Sequence, residues 1–184
     1  MATQPVEFPE FYDFPPFFTI QPNDATRAQQ LALWSSFICS YTKAKRQFFL
    51  DVSEEARNSE LFHNNKIKRK LTIGALRTIL EHLVAQGLGR WANSEKSRMT
   101  VFWKTAAEWG AEIYSWVVAE GRLNSVETVF ALREGDDTQA TEFHGVPYEV
   151  MIAALETLES SGKAKIFKGT TSDQDGVKFL SQAR

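Results

Sequence analysis

Apolar residues return every three or four positions at Leu31, Trp34, Ile38 and Tyr41, the stripe of an amphipathic helix. The stripe starts after Pro22-Asn23-Asp24, where Asn23 or Asp24 can cap the first turn. A strand-like run, Phe48 to Val52, is followed by the polar stretch Ser53 to Glu60. A second helical stripe runs through Ile73, Leu76, Ile79, Leu80 and Leu83 and stops at Gly87. Leu88 to Ala92 and Met99 to Trp103 then read as two strands joined by a polar turn. Helix, short strand, helix and β-hairpin is the order of a winged-helix domain.

The pattern recurs. An offset of 75 carries Trp34 onto Trp109, Ile38 onto Ile113 and Tyr41 onto Trp116 in the first helix. The same offset carries Leu76 onto Met151, Leu80 onto Leu155, Leu83 onto Leu158 and Gly87 onto Gly162 in the later one. Phe62-His63 and Phe143-His144 precede that helix in each half, with a six-residue difference in length. A final hairpin returns as Ile166-Phe167 and Val177 to Leu180 around the turn Gly169 to Gly176. Agreement at one offset over two separate elements predicts two domains of one fold. The expected class is α+β, two tandem winged-helix domains at 24–103 and 104–184, behind an extended tail at 1–23.

That tail reads differently from the rest. Between Phe8 and Phe18 stand six aromatics (Phe8, Phe11, Tyr12, Phe14, Phe17, Phe18) and three prolines (Pro9, Pro15, Pro16). Proline blocks helix and ladder formation and favours an extended path. Such a segment cannot bury six rings against itself, so it must pack them on its own domain or on a partner.

Composition changes the picture little. Across 184 residues, 43% hydrophobic and 24% charged is ordinary for a globular chain, although fourteen Phe and five Trp supply ample core or interface material. A net charge of −2 gives no whole-protein pull towards nucleic acid or acidic lipid. The single cysteine, Cys39, builds no disulfide framework and fits a reducing compartment. Residues Met1 to Phe8 lack a basic segment followed by an apolar run, and no stretch reaches the ~20 apolar residues of a membrane span. A cytoplasmic protein is expected.

Candidate chemistry is sparse. His63, His82 and His144 lie far apart without metal-ligand spacing, and the equivalence of His63 and His144 in the repeat points to a shared structural role. Asp173-Gln174-Asp175-Gly176 resembles part of a calcium loop but lacks the other ligands, and reads as a wing turn. Gly87-Leu88-Gly89 is a helix stop, Cys39 a small packing residue, and Glu134, Asp136 and Asp137 a solvated loop. No catalytic residue, cofactor site or metal site is expected, and no enzyme.

Winged helices often read DNA with basic side chains on the second-stripe helix and the wing. Lys66, Lys68, Arg69 and Lys70 form a basic run before that helix in the first domain, but the helix itself offers only Arg77. The equivalent helix of the second domain carries Glu149, Glu156 and Glu159 and no base before Lys163, a face that repels phosphate. Nucleic acid is therefore not the expected partner, and the basic run reads as a solvated face or an acidic-partner contact.

The specific signal lies in the tail. Phe14-Pro15-Pro16-Phe17-Phe18 has the form of a PPxY motif with Phe for Tyr, and it continues as Thr19-Ile20-Gln21-Pro22-Asn23, with Thr26-Arg27 and Gln29-Gln30 before a Trp-bearing helix. The whole run resembles the start of the small subunit of the ESCRT-II complex, the vacuolar protein sorting twenty-five family. The resemblance extends through Leu61-Phe62, Lys70-Leu71, Glu108-Trp109-Gly110, Ile113 to Val117, Asn124-Ser125-Val126, Glu142 to Gly145 and Gly176 to Phe179. It implies a non-enzymatic assembly subunit, present in two copies, whose Phe14, Pro15, Pro16, Phe17 and Phe18 dock into grooves on two larger subunits. It also implies that the second winged helix recruits the initiating ESCRT-III subunit during multivesicular-body sorting of ubiquitinated cargo, with the membrane reached only indirectly on endosomes. On this reading Phe17 and Phe18 face the partner, and their removal leaves both domains folded. Glu149, Glu156 and Glu159 lie on an exposed helix, with Leu123 to Leu132 as further surface and Lys163, Lys165 and Lys168 beside the hairpin. The competing expectation, from fold alone, is a winged-helix transcription or RNA-polymerase accessory factor.

Overall fold

In a computed structural model, residues 5–181 are described, and the chain divides into two units at Trp103 and Lys104. In the first unit Asn23 accepts the Thr26 N–H and starts α1 (Asp24–Ala44), whose buried side includes Leu31, Trp34, Ile38 and Tyr41. β1 (Phe49–Asp51) follows, and the polar stretch after it holds only a 3-10 turn at Ala56–Asn58. Two short strands, β2 (His63–Asn64) and β3 (Arg69–Lys70), pair as a small hairpin. Thr72 caps α2 (Ile73–Ala85), which buries Leu76, Ile79, Leu80 and Leu83. β4 (Gly89–Trp91) and β5 (Arg98–Val101) complete a sheet of order β1-β5-β4.

The second unit repeats the plan, with a short helix in place of the small hairpin. Thr105 and Glu108 form a reciprocal capping box at the start of α3 (Ala106–Ala119). β6 (Val126–Thr128) leads into α4 (Val129–Glu134), then α5 (Tyr148–Ser160), β7 (Ala164–Phe167) and β8 (Gly176–Phe179), with sheet order β6-β8-β7. α3 and α5 approach closely at Gly110, where an added Cβ would lie 2.7 Å from Thr157 Oγ1 and 2.9 Å from the Ala154 carbonyl.

The repeat holds in detail. Trp34 and Trp109 are both fully buried, as are Leu80 and Leu155. Gly87 and Gly162 both adopt φ +71° and let the chain turn off the helix into the first wing strand. Arg57 Nε donates to the Leu71 carbonyl and Arg133 Nε to the Val146 carbonyl, each at 2.6 Å, so one guanidinium braces the entry to α2 in the first unit and to α5 in the second.

Three expectations are corrected. The tail is not extended: Glu10–Asp13 and Pro15–Phe18 form two 3-10 turns, because Pro15 presets the first turn residue and the rings that follow are drawn onto α1. The 123–132 segment is not all surface, since Val129 and Leu132 of α4 are buried in the core. Nor is α5 an exposed helix: Val150 through Leu155 are all buried, leaving Glu149 and Glu156 on its open side and Glu159 half-buried. Glu159 accepts the Ile166 N–H at 3.0 Å and pairs with Lys165 at 3.1 Å, a structural role in the sheet.

The wing of the second unit is organised by Asp175, whose buried carboxylate accepts from Tyr148 Oη at 2.6 Å, Lys168 Nζ at 2.9 Å and the Gly169 N–H at 2.8 Å. The Tyr148 hydroxyl first, then Lys168 and Gly169, hold its pKa down to about 2. A carboxylate whose folded pKa is depressed stabilises the fold above its unfolded pKa and loses that contribution as pH falls through the folded value. A fragment of residues 104–184 is therefore expected to unfold cooperatively by itself, with a thermal midpoint that drops between about pH 4 and pH 2. Asp175→Asn should flatten that dependence, and circular dichroism melts read both outcomes.

Candidate partner-docking site

The tail combines a buried ring stack with an exposed apolar edge. Its inner side is a stack of rings. Phe17 lies flat on Trp34, centroids 4.3 Å apart and planes at 10°, and Phe18 meets the same indole edge-on at 5.6 Å. Tyr12 packs on Phe18 at 5.5 Å and on Phe37 at 5.3 Å. Phe17 and Phe18 are 4% and 3% exposed, so their apolar surface is already spent within the chain. This corrects the expectation that Phe17 and Phe18 face the partner: Trp34 of α1 takes both rings, and Phe37 and Tyr41 continue the row beneath Tyr12 and Phe8.

Polar groups fasten the same stretch. The Trp34 Nε1–H donates to the Phe17 carbonyl at 3.0 Å. Gln30, buried one turn earlier on α1, donates from Nε2 to the Phe17 and Thr19 carbonyls, both at 2.9 Å, and accepts the Gln21 N–H at 3.1 Å. Asn64 of β2, also buried, donates to the Tyr12 carbonyl at 2.8 Å and to Asp13 Oδ1 at 3.0 Å, while Lys66 pairs with the other Asp13 oxygen. Tyr12 Oη donates to the Glu60 carbonyl, and the phenol is pushed up to about 12, chiefly by burial. Tyr41 Oη reaches Glu60 Oε1 at 2.9 Å and Lys45 pairs with that carboxylate.

The outer side remains open. Phe14 is 59% exposed, and Pro15 and Pro16 are exposed beside it. The five site residues of the sequence reading thus split: Phe17 and Phe18 anchor the tail, and Phe14, Pro15 and Pro16 form a fixed apolar edge. Gln30 and Asn64 were missed as tail clamps. Gln30 sits four residues before Trp34 on the buried stripe, and a polar side chain in that position signals a backbone partner that the helix does not supply.

The other candidates have local roles. Lys66 to Lys70 occupies the β2–β3 hairpin, with Lys66 on Asp13 and Lys70 on Asn58. His63 lies in β2, whereas His144 Nδ1 shares a hydrogen bond with Thr138 Oγ1 at 2.9 Å, so the two histidines have different surroundings. Burial pushes the Cys39 thiol up to about 11, which suppresses thiolate chemistry. No group of three or more ligating side chains among the described residues is arranged to hold a metal, and no helix among them is long and apolar enough to cross a membrane.

Two winged-helix units behind a ring-anchored Pro/aromatic edge define a tandem winged-helix protein. The family model "ESCRT-II complex subunit" matches residues 11–147, beginning inside the tail and running through the first unit into the second. The vacuolar protein-sorting-associated protein 25 of Danio rerio is 44% identical over 174 residues, covering 95% of this chain and 98% of the relative. Two solved structures are similar as well. The crystal structure of subunit VPS25 of the endosomal trafficking complex ESCRT-II gives a TM-score of 0.79 at 28% identity, covering 98% of this chain and all of that one. A chain of the endosomal complex ESCRT-II (VPS22/VPS25/VPS36) gives 0.75 at 30% identity, covering 94% of this chain and 98% of that one. The chain belongs to the ESCRT-II complex subunit family.

Proposed function

We propose that this chain is the small subunit of an ESCRT-II complex and docks on the larger subunits, VPS22 and VPS36, through Phe14, Pro15 and Pro16. The observation that carries the reading is the split of the tail, with Phe17 and Phe18 locked onto Trp34 and Phe14 left 59% exposed on a braced backbone. An apolar edge already held in shape loses little conformational entropy on docking, and an aromatic ring flanked by prolines is an effective interface anchor. The similarity to a chain of the VPS22/VPS25/VPS36 complex supports the partners. The second winged helix recruits the initiating ESCRT-III subunit, so that the complex, cytoplasmic and peripherally attached to endosomal membranes, sorts ubiquitinated cargo into multivesicular bodies.

A DNA-reading role finds no support: the open side of α5 carries Glu149 and Glu156, and a duplex would meet negative charge there. Native mass spectrometry of the complex purified through a tag on this chain tests the assembly. Two copies of this chain with one each of two larger proteins is the expected composition. A lone chain, or a complex with polymerase subunits, would overturn it.

A further inference from the structure

The chain repeatedly places a cation over an aromatic ring that has a carboxylate beside it. Arg98 lies 4.6 Å from the centroid of Phe49 and 3.7 Å from Asp51. Arg122 lies 5.0 Å from Trp116 and pairs with Glu127 at 3.4 Å and with Asp137. Lys104 caps Trp109 at 4.4 Å and pairs with Glu112 and Glu142. Lys168 caps Tyr148 at 5.7 Å and pairs with Asp175 at 2.9 Å. Each cation is held twice, by the negative face of a ring and by a carboxylate.

Phe8 offers the ring and the carboxylates without the cation. It packs on Tyr12 at 4.9 Å and on Phe37 at 5.4 Å, and 38% of it remains exposed. Its open side lines a groove of about 570 Å³, with Pro5, Val6, Pro9 and Ala44 as apolar wall and Glu7 and Glu10 beside them. Both glutamates are exposed and have no hydrogen-bond or ion-pair partner among the described residues. Asp13, the third carboxylate of the tail, is by contrast held by Lys66 and Asn64. Residues 1–23 contain no Lys or Arg. Of the two lysines that flank Ala44 on α1, Lys45 pairs with Glu60, and Lys43 is likewise engaged.

We infer that a protein partner supplies the missing cation as an arginine side chain seated in this groove, its guanidinium over Phe8 with Glu7 and Glu10 beside it. The methylene stem runs along Pro5, Val6, Pro9 and Ala44, so the apolar wall is covered as well as the charge. Arginine suits the groove better than lysine, because a planar, weakly hydrated head stacks on a ring while its edge donates to carboxylates. Nucleic acid and acidic lipid are disfavoured there, since Glu7 and Glu10 repel phosphate. The contact uses none of Phe14, Pro15 and Pro16, so it stands or falls separately from docking through the tail edge.

The test titrates the nitrogen-15-labelled full chain with a capped heptapeptide carrying one arginine between two leucines, read by amide chemical shifts. Matched peptides replace the arginine with lysine or with its neutral isostere citrulline. The arginine peptide should shift the amides around Phe8 and Ser40, the lysine peptide should bind more weakly, and the citrulline peptide weaker by about tenfold or more. Glu7→Gln combined with Glu10→Gln should weaken the arginine peptide about tenfold while the chain melts as the parent does, because both carboxylates are exposed. Phe14→Ala should leave peptide binding unchanged. Absent shifts, equal binding of the citrulline peptide, insensitivity to the double substitution, or loss of binding on Phe14→Ala would overturn the inference. So would a dimer of the chain alone that the double substitution dissociates, seen by sedimentation, because the arginine would then come from a second copy.

Discussion

Phe17→Ala is expected to destabilise the first unit by about 3–5 kcal/mol, the range for truncating a buried aromatic ring. The ring is 4% exposed and stacked on a fully buried Trp34, so its loss opens a cavity under the indole that the proline-stiffened tail cannot collapse into. The Phe17 carbonyl also receives Trp34 Nε1–H and Gln30 Nε2–H, so a shifted tail leaves two buried donors short of a partner. Domain stabilities are of order 5–15 kcal/mol, so much of the first unit's margin would go. Urea denaturation of the full chain reads the effect as a lowered midpoint of the first-unit transition, while the second-unit transition stays in place. Had Phe17 been a partner contact only, the midpoint would not move.

Phe14→Ala is the counterpart, with the effect on binding instead of folding. Its ring is 59% exposed and lies between the two 3-10 turns, so truncation exposes no core and the melting profile should match the parent chain. Interface aromatics that fill a partner groove cost ~2 kcal/mol or more on truncation, about thirtyfold in affinity. Pro16→Ala should weaken binding less, because it loosens the edge without removing the ring. The pair of tail variants therefore separates anchor from edge: one unfolds the unit, the other releases the partners.

Much of this architecture was legible along the chain because it is periodic. The stripes at Leu31–Tyr41 and Ile73–Leu83 became α1 and α2, and the offset of 75 anticipated equal burial at Trp34 and Trp109 and equal φ at Gly87 and Gly162. Elements too short to show a period stayed hidden. α4 spans six residues, less than two turns, and β2 and β3 have two residues each. The tail posed a different difficulty. Its six rings required burial, but nothing in their spacing says whether the covering surface is intrachain or another protein. Trp34 settles that for Phe17 and Phe18, and the information lies in helix-face geometry that appears only once α1 is folded. Asp175 illustrates the same limit, since its place in a calcium-like string of residues gave no sign of the Tyr148 and Lys168 partners that bury it.

The most direct measurement of the central claim is calorimetric titration of the full chain and its Phe14→Ala variant against the purified VPS22–VPS36 heterodimer, with a thermal melt of each preparation. An affinity lowered about thirtyfold by Phe14→Ala at an unchanged melting temperature is the predicted result. Unchanged affinity, or a loss of binding that appears only together with unfolding, would contradict docking through the exposed edge of the tail.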